Sequence, residues 1–511
     1  MSLKGTMQKL SIIFICFITL VTCSKNSKPP NIILILTDDQ DLLMGSLSPM
    51  KKAQELIGNV GAVFTNAYAS TPICCPSRAS ILSGKYQHNH RTFNNSISGG
   101  CNSPDWQENI EPKTFATHLH KSGYRTFYSG KYLNEYGRKT AGGTEHVPPG
   151  WDWWMGLVGN SVYYNYTLSV NGTRKEPTDA YLTREIESFA KDFLDSAKYY
   201  NNSFLMVLAT PAPHAPFTPE PKYTGRYKGI KVPRNPNFNI DVRQDNRHWL
   251  VGMPPVPLTS DLIDKVDDIH ASRWETLLSV DDLVSTVITK LKDIGQDENT
   301  YIVFTSDNGF HLGHYSLPWD KRQLYETDIK VPMLIRGPGI KSKQLIESPV
   351  LNIDIAPTIL DIAGIEIPDD MDGMSLLPTI KDNGFRPRNF LIEYCGEGNG
   401  MAISQECPFK EDINLAECPI EAACKCEDSK NNTYNCLRRI DLPNNNFIYC
   451  DFLIEKIREV YDLLNDPYEL QNIHHKLTKK SSNEIDQCLH KMMKCAGTSC
   501  RSSKALRLVY K

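Results

Sequence analysis

Asn31-Ile-Ile-Leu-Ile-Leu-Thr-Asp-Asp-Gln40 is an unbroken apolar run that stops on two carboxylates. Nothing in it alternates apolar with polar, so neither face is marked for water. Such a run predicts a strand buried on both sides, as in a mostly parallel sheet covered by helices. Ligand sites of open α/β sheets collect at the carboxyl ends of strands, where this one presents Asp38 and Asp39. Adjacent carboxylates repel, and a site that buries them together calls for a cation. An Asp-Asp pair in a solvated turn would need none.

Thr300-Tyr-Ile-Val-Phe-Thr-Ser306 repeats the pattern and ends on Asp307-Asn308-Gly309. Together the two strand ends offer hard oxygen donors from Asp38, Asp39, Asp307 and Asn308. Without thiolate or imidazole, that set favours calcium, then magnesium, over zinc. Phe204–Ala209 is a third buried strand, followed by Thr210-Pro-Ala-Pro-His-Ala-Pro216, whose prolines stiffen the backbone around His214. Tyr124–Tyr132 reads as a strand that runs into Gly130-Lys131. Trp274–Ile294 has the spacing of a helix with Leu277, Val280, Leu283, Val284, Val287 and Leu291 on one side. Asp281 and Asp282 there read as solvated or capping residues.

The 511 residues, 40% of them hydrophobic, suit one large domain with an appendage. A net charge of −3 argues against nucleic acid as a partner. Lys4 and Lys9 precede an apolar run from Leu10 to Val21, the layout of a secretory signal over residues 1–23, with an uncleaved anchor as the alternative. Once that signal is removed no membrane span is expected. Gly384 and Pro387 mark a boundary, giving a catalytic part over 24–385 and a cysteine-rich part over 386–511. Asn-x-Ser/Thr acceptors at Asn94, Asn165, Asn171, Asn201 and Asn431 suit an exported glycoprotein. Setting aside Cys16, Cys23 and Cys74, the 15 cysteines leave an even set that allows complete pairing. A zinc site at Cys424-Lys-Cys426 is the competing explanation, without matching Cys or His spacing to support it.

Thr71-Pro-Ile-Cys-Cys-Pro-Ser-Arg-Ala-Ser-Ile-Leu-Ser-Gly-Lys-Tyr86 carries the remaining chemistry. Pro76 suits a first helical turn, so a helix begins close to Cys74 with Ala79, Ile81 and Leu82 on its apolar face. Its N-terminal N–H groups and Arg78 would favour an oxyanion held against residue 74. A buried or disulfide-bonded cysteine is the plainer reading.

Cys74-Cys75-Pro76-Ser77-Arg78, with Ala79–Gly84, resembles the signature of the type I sulfatases. The resemblance implies an alkaline-phosphatase-like α/β fold, with a large mixed, mostly parallel sheet and a small C-terminal α+β subdomain built on an antiparallel sheet. It also implies that Cys74, not Cys75, is oxidised to formylglycine by a formylglycine-generating enzyme. One calcium ion would be held by Asp38, Asp39, Asp307 and Asn308 together with residue 74. Arg78, Lys131 and Lys321 would grip the sulfate, and His214 would protonate the departing sugar oxygen. Many relatives carry a histidine two positions after the equivalent of Lys131; here that position is Leu133.

Gly84–Asn95, Gly130–Gly137, Tyr163–Gly172 and Asp320–Glu326 narrow the resemblance to the N-acetylglucosamine-6-sulfatases. That implies removal of 6-O-sulfate from N-acetylglucosamine or glucosamine residues of heparan sulfate, with keratan sulfate as a second polymer. The setting implied is the lysosome, with secretion as the alternative, and a homodimer is left open. Extracellular heparan endosulfatases are similar but carry a long basic insertion that is not found here. His88, His90 and Asn95 are candidates for the sugar pocket, with local packing as the alternative. Readings of another class are a metal-dependent phosphatase and a glycan-binding protein without catalysis.

Overall fold

In the computed structural model, which describes residues 28–243, 246–398, 400, 402–409, 411–501 and 505–510, β1 (Asn31–Thr37) is buried at every position. The expected signal over 1–23 lies outside the described residues. Side chains along β1 part to two cores, Ile32, Leu34 and Leu36 on one face and Ile33 and Ile35 on the other. A strand with both faces covered needs no polar alternation, which is why the run is apolar throughout.

Around β1 lie β2 (Arg125–Lys131), β3 (Trp153–Leu157), β4 (Phe204–Ala209) and β5 (Thr300–Ser306). They run parallel in the order β5-β1-β4-β2-β3 at the centre of a ten-stranded sheet. Antiparallel strands Met333–Arg336 and Leu168–Val170 extend it on either side, so the sheet is mixed and mostly parallel. α1 (Cys74–Ser83) and α4 (Ile355–Ile362) cover one face; α2 (Leu182–Ala197) and α3 (Ser260–Asp293) cover the other.

Two helices differ from expectation. α3 begins at Ser260, well before Trp274. Its first half buries Asp267, His270 and Arg273 beside Leu262 and Val266, so polar residues interrupt its apolar face. All ten residues of α1 are buried, not one face. It lies between the sheet core, entered by Ala79, Ile81 and Leu82, and the strand ends that Ser77 and Arg78 meet. Asp281 neither is solvated nor caps its own helix; buried in the middle of α3, it accepts from the backbone N–H groups of Lys52 (3.0 Å) and Ala53 (2.8 Å) in another segment.

Strands Arg388–Tyr394, Tyr434–Asp441, Asn445–Phe452 and Arg458–Asp462 form a separate four-stranded antiparallel sheet. α5 (Lys479–Met492) packs on it through Ile485 and Leu489. The same core takes in Tyr68, Ile73, Tyr86 and Ile353, so the smaller sheet shares its apolar interior with the first part of the chain. Disulfides join Cys75 to Cys101, Cys407 to Cys424, Cys418 to Cys426, Cys436 to Cys450 and Cys495 to Cys500. Cys424 and Cys426 are thereby removed as zinc ligands. Pairing is not complete among the described residues, where Cys395 forms no disulfide. Among the described residues no helix is long and apolar enough to cross a membrane.

Gly130 stands beside Ala209 in the sheet at φ +109°, and a Cβ there would lie 1.9 Å from the Ala209 carbonyl oxygen. Neither the backbone angle nor the space admits a side chain. Gly130→Ala should therefore lower stability by roughly 2–4 kcal/mol, seen as a fall in the denaturant midpoint.

Candidate active site

Parallel pairing of β1 with β5 sets Thr37 opposite Ser306, so the residues that follow each strand emerge side by side. Asp307 Oδ1 accepts from the Asp39 N–H (3.0 Å), and Asn308 Nδ2 donates to Asp39 Oδ1 (2.8 Å). Asp39 holds φ +65°, a left-handed conformation that an aspartate tolerates. β2 ends in Lys131, whose Nζ lies 2.8 Å from Asp38 Oδ2. β4 leads to His214, with Nε2 3.8 Å from Asp39 Oδ2. Lys321 Nζ lies 2.8 Å from the same oxygen.

α1 delivers Cys74 and Arg78 to this point. Cys74 Sγ lies 3.7 Å from Asp38 Oδ1 and 3.8 Å from Asp39 Oδ1. Arg78 Nε donates to Asp307 Oδ2 (2.8 Å), and one terminal nitrogen donates to the Lys131 carbonyl (2.7 Å). The free N–H groups expected at the start of α1 are only partly available, since that of Cys75 donates to Asn95 Oδ1 (3.0 Å). All the predicted metal and sulfate residues, Asp38, Asp39, Cys74, Arg78, Lys131, His214, Asp307, Asn308 and Lys321, thus converge.

Three buried carboxylates face three buried cations. Burial alone would raise Asp38, but Lys131, His214 and Arg78 hold it well below the usual carboxylate range. Asp307 is pushed up to about 7 by burial and by Asp38, against Arg78 and Lys131. Burial also pushes the Cys74 thiol up, more than the two lysines offset. As an unmodified thiol it stays protonated and is a poor nucleophile. His214 is lowered by burial, with Asp38 and Asp39 opposing. Its Nδ1 donates to the Ala215 carbonyl (2.6 Å), which leaves Nε2 toward the cluster.

Asp38, Asp39, Cys74 and His214 place one ligand atom each within 4.8 Å of one another. Asn308 Oδ1 is buried with no hydrogen-bond partner among the described residues, an orphaned acceptor beside carboxylates. These residues fit a divalent cation. The sequence reading set imidazole aside, whereas the fold brings His214 within reach; oxygen donors still predominate.

Beside this cluster opens a cleft of about 200 Å³ lined in part by Asn95, Asn160, His214, Phe217, Trp319 and Lys321. Asn95 alone of the three candidates near α1 reaches it. His88 pairs with Glu393 (2.8 Å), and His90 meets Ser80 (3.0 Å) inside the core. Leu133 is likewise packed among apolar residues; the Ser161 hydroxyl joins Lys131 on Asp38 Oδ2. Ser161 sits in a loop without motif, so nothing in the sequence announced it. Arg273 was also missed; from α3 it donates to the Asp39 carbonyl (2.7 Å) and Asp41 Oδ1 (2.9 Å), clamping the loop after β1.

A sulfatase family profile matches residues 30–365. The chain belongs to the sulfatase family. It is 45% identical to the N-acetylglucosamine-6-sulfatase of Homo sapiens, over 93% of this chain and 86% of that protein. The enzyme of the same name from Capra hircus is also 45% identical, over 94% and 86%. A solved structure of a protein in complex with its substrate D-glucosamine-2-N,6-O-disulfate superposes with a TM-score of 0.70 at 25% identity, covering 91% of this chain and 98% of that one.

Near the cleft of this sulfatase, His311 Nδ1 donates to Asp328 (3.0 Å) and Nε2 to Glu427 (3.1 Å). Burial opposes a charged ring, but Asp328 and then Glu427 push it up to about 10. A histidine raised on folding contributes stability that is full below about 6.5 and is lost as pH climbs through about 10. The melting temperature should fall across that window, and Asp328→Asn should shrink the fall.

Proposed function

We propose that this sulfatase hydrolyses the 6-O-sulfate of N-acetylglucosamine or glucosamine residues in heparan sulfate and keratan sulfate, with formylglycine at Cys74 and one calcium ion. The observation that carries the substrate assignment is 45% identity to N-acetylglucosamine-6-sulfatases along nine tenths of the chain. Convergence of the cysteine, carboxylates and cations at the strand ends supports the chemistry.

Asp38, Asp39, Asp307 and Asn308 would hold the calcium, an oxygen-rich set suited to a hard cation. Bound there, the ion would supply Lewis-acid polarisation of the nucleophile and of the sulfate oxygens. Formylglycine would replace a thiol kept protonated by burial with a hydrated aldehyde, whose oxygen is the nucleophile toward sulfur. Arg78, Lys131 and Lys321 bring fixed positive charge to the sulfuryl oxygens as the ester S–O bond breaks. Their burial strengthens that attraction, because little water screens it. His214 Nε2 faces the cluster and, with the ring protonated at both nitrogens, would pass a proton to the leaving sugar oxygen.

Catalysis is assigned to residues 24–385 and support to residues 386–511. Disulfides and the exposed acceptors Asn165, Asn171 and Asn201 support passage through the secretory pathway, with the lysosome as the destination. Asn94 and Asn431 are half-buried acceptors. Maturation would require a formylglycine-generating enzyme.

Mass spectrometry of the peptide spanning residue 74 should find the aldehyde, and Cys74→Ala should abolish sulfate release from 6-sulfated N-acetylglucosamine. Unmodified thiol in fully active protein would sink the nucleophile. Chelation should also stop release and calcium restore it; activity indifferent to chelation would remove the ion from the scheme.

A further inference from the structure

Besides Lys321 and His214, the cleft lining carries Asp320, Glu417 and Glu427, with Arg322 as the other cation. That guanidinium is already shared. It bonds Asp320 (3.0 Å), Glu417 (2.9 Å) and Glu397, and lies 3.4 Å from Asp428. Two of those four, Asp320 and Glu417, line the cleft with Glu427, so carboxylates outnumber the guanidinium on this side. It contrasts with the lysines and arginine around Cys74.

Glu427 is not among the groups Arg322 holds. Its Oε2 accepts from His311 Nε2 (3.1 Å), and His311 is fixed from behind by both oxygens of Asp328 (3.0 Å each). With both ring nitrogens donating, the imidazole is a cation that locks the carboxylate in one orientation. Glu427 is 2% exposed, and its other oxygen, Oε1, has no hydrogen-bond partner among the described residues. A buried carboxylate oxygen without a donor is costly, and a cleft-lining group in that state points to a ligand that supplies one. Sulfate cannot be that ligand, since at neutral pH it only accepts.

We propose that Glu427 is a specificity-determining residue whose Oε1 accepts from a hydroxyl, amide N–H or ammonium of the sugar whose 6-sulfate faces Cys74. His311 acts through Glu427 as a positioning residue. The inference rests on the reaction proposed above and deepens it. Cations at the sulfate and carboxylates at the sugar make the cleft dipolar, so a neutral or cationic 2-substituent is accepted and a second sulfate on the same residue is repelled. The 2-acetamido and 2-amino sugars are then preferred over the 2-sulfamido sugar.

Affinity of full-length Cys74→Ala protein for 6-sulfated glucosamine bearing 2-acetamido, 2-amino or 2-sulfamido groups, read by calorimetry, tests this without turnover. The first two should bind about tenfold or more tighter than the third. Adding Glu427→Gln should weaken the 2-acetamido sugar about fivefold and narrow its lead over the 2-sulfamido sugar. The same narrowing should follow Glu417→Gln, a more exposed position where folding is not at risk. On the Cys74-containing protein, Glu427→Gln should raise KM and leave kcat within about threefold, the pattern of lost uniform binding. Equal binding of all three sugars, or an unchanged lead of the 2-acetamido sugar in both variants, would overturn the proposal. Absence of sulfate release by the parent protein would count against the reaction instead, since the affinities judge Glu427 independently.

Discussion

Two parallel strands in fixed register force three carboxylates and an amide into one buried volume, and most of the surrounding structure answers that demand. Once Thr37 lies opposite Ser306, Asp38, Asp39, Asp307 and Asn308 have nowhere else to go. Their mutual repulsion in a medium of low polarity would unfold the strand ends if left alone. Lys131, Lys321 and Arg78 each arrive from a different segment to compensate. Arg273 then clamps the loop from the opposite face of the sheet. A site with balanced charge and an orphaned amide oxygen is prepared for a cation without collapsing in its absence.

The smaller sheet has a second role beyond covering apolar surface. Its segment supplies Glu397, Glu417, Glu427 and Asp428 to the cleft and to Arg322, while its interior merges with the core beneath α1. The cluster around Cys74 and the carboxylates on the other side of the cleft therefore come from different regions of the chain.

The central strands were legible because burial on both faces leaves an uninterrupted apolar run, as in β1, β4 and β5. The strand-end residues were legible because polar groups abruptly follow such runs. α3 was read too short because the buried polar residues Asp267, His270 and Arg273 interrupt the apolar face that Leu262 and Val266 begin. His214 looked like an ordinary loop histidine until the family pattern singled it out, and Ser161 carried no mark at all. Cys395 shows the limit of counting, since an even number of cysteines allows full pairing without bringing each to a partner.

By itself the sequence determined the fold class and singled out Cys74 and the oxygen donors at the strand ends, since each is written in local runs and a short motif. Only the tertiary structure decided that these side chains lie together, that His214 joins them, and that Glu427 lines the cleft. Those facts depend on register and on contacts between residues as far apart as His311 and Glu427, and chain order does not encode distance across a sheet.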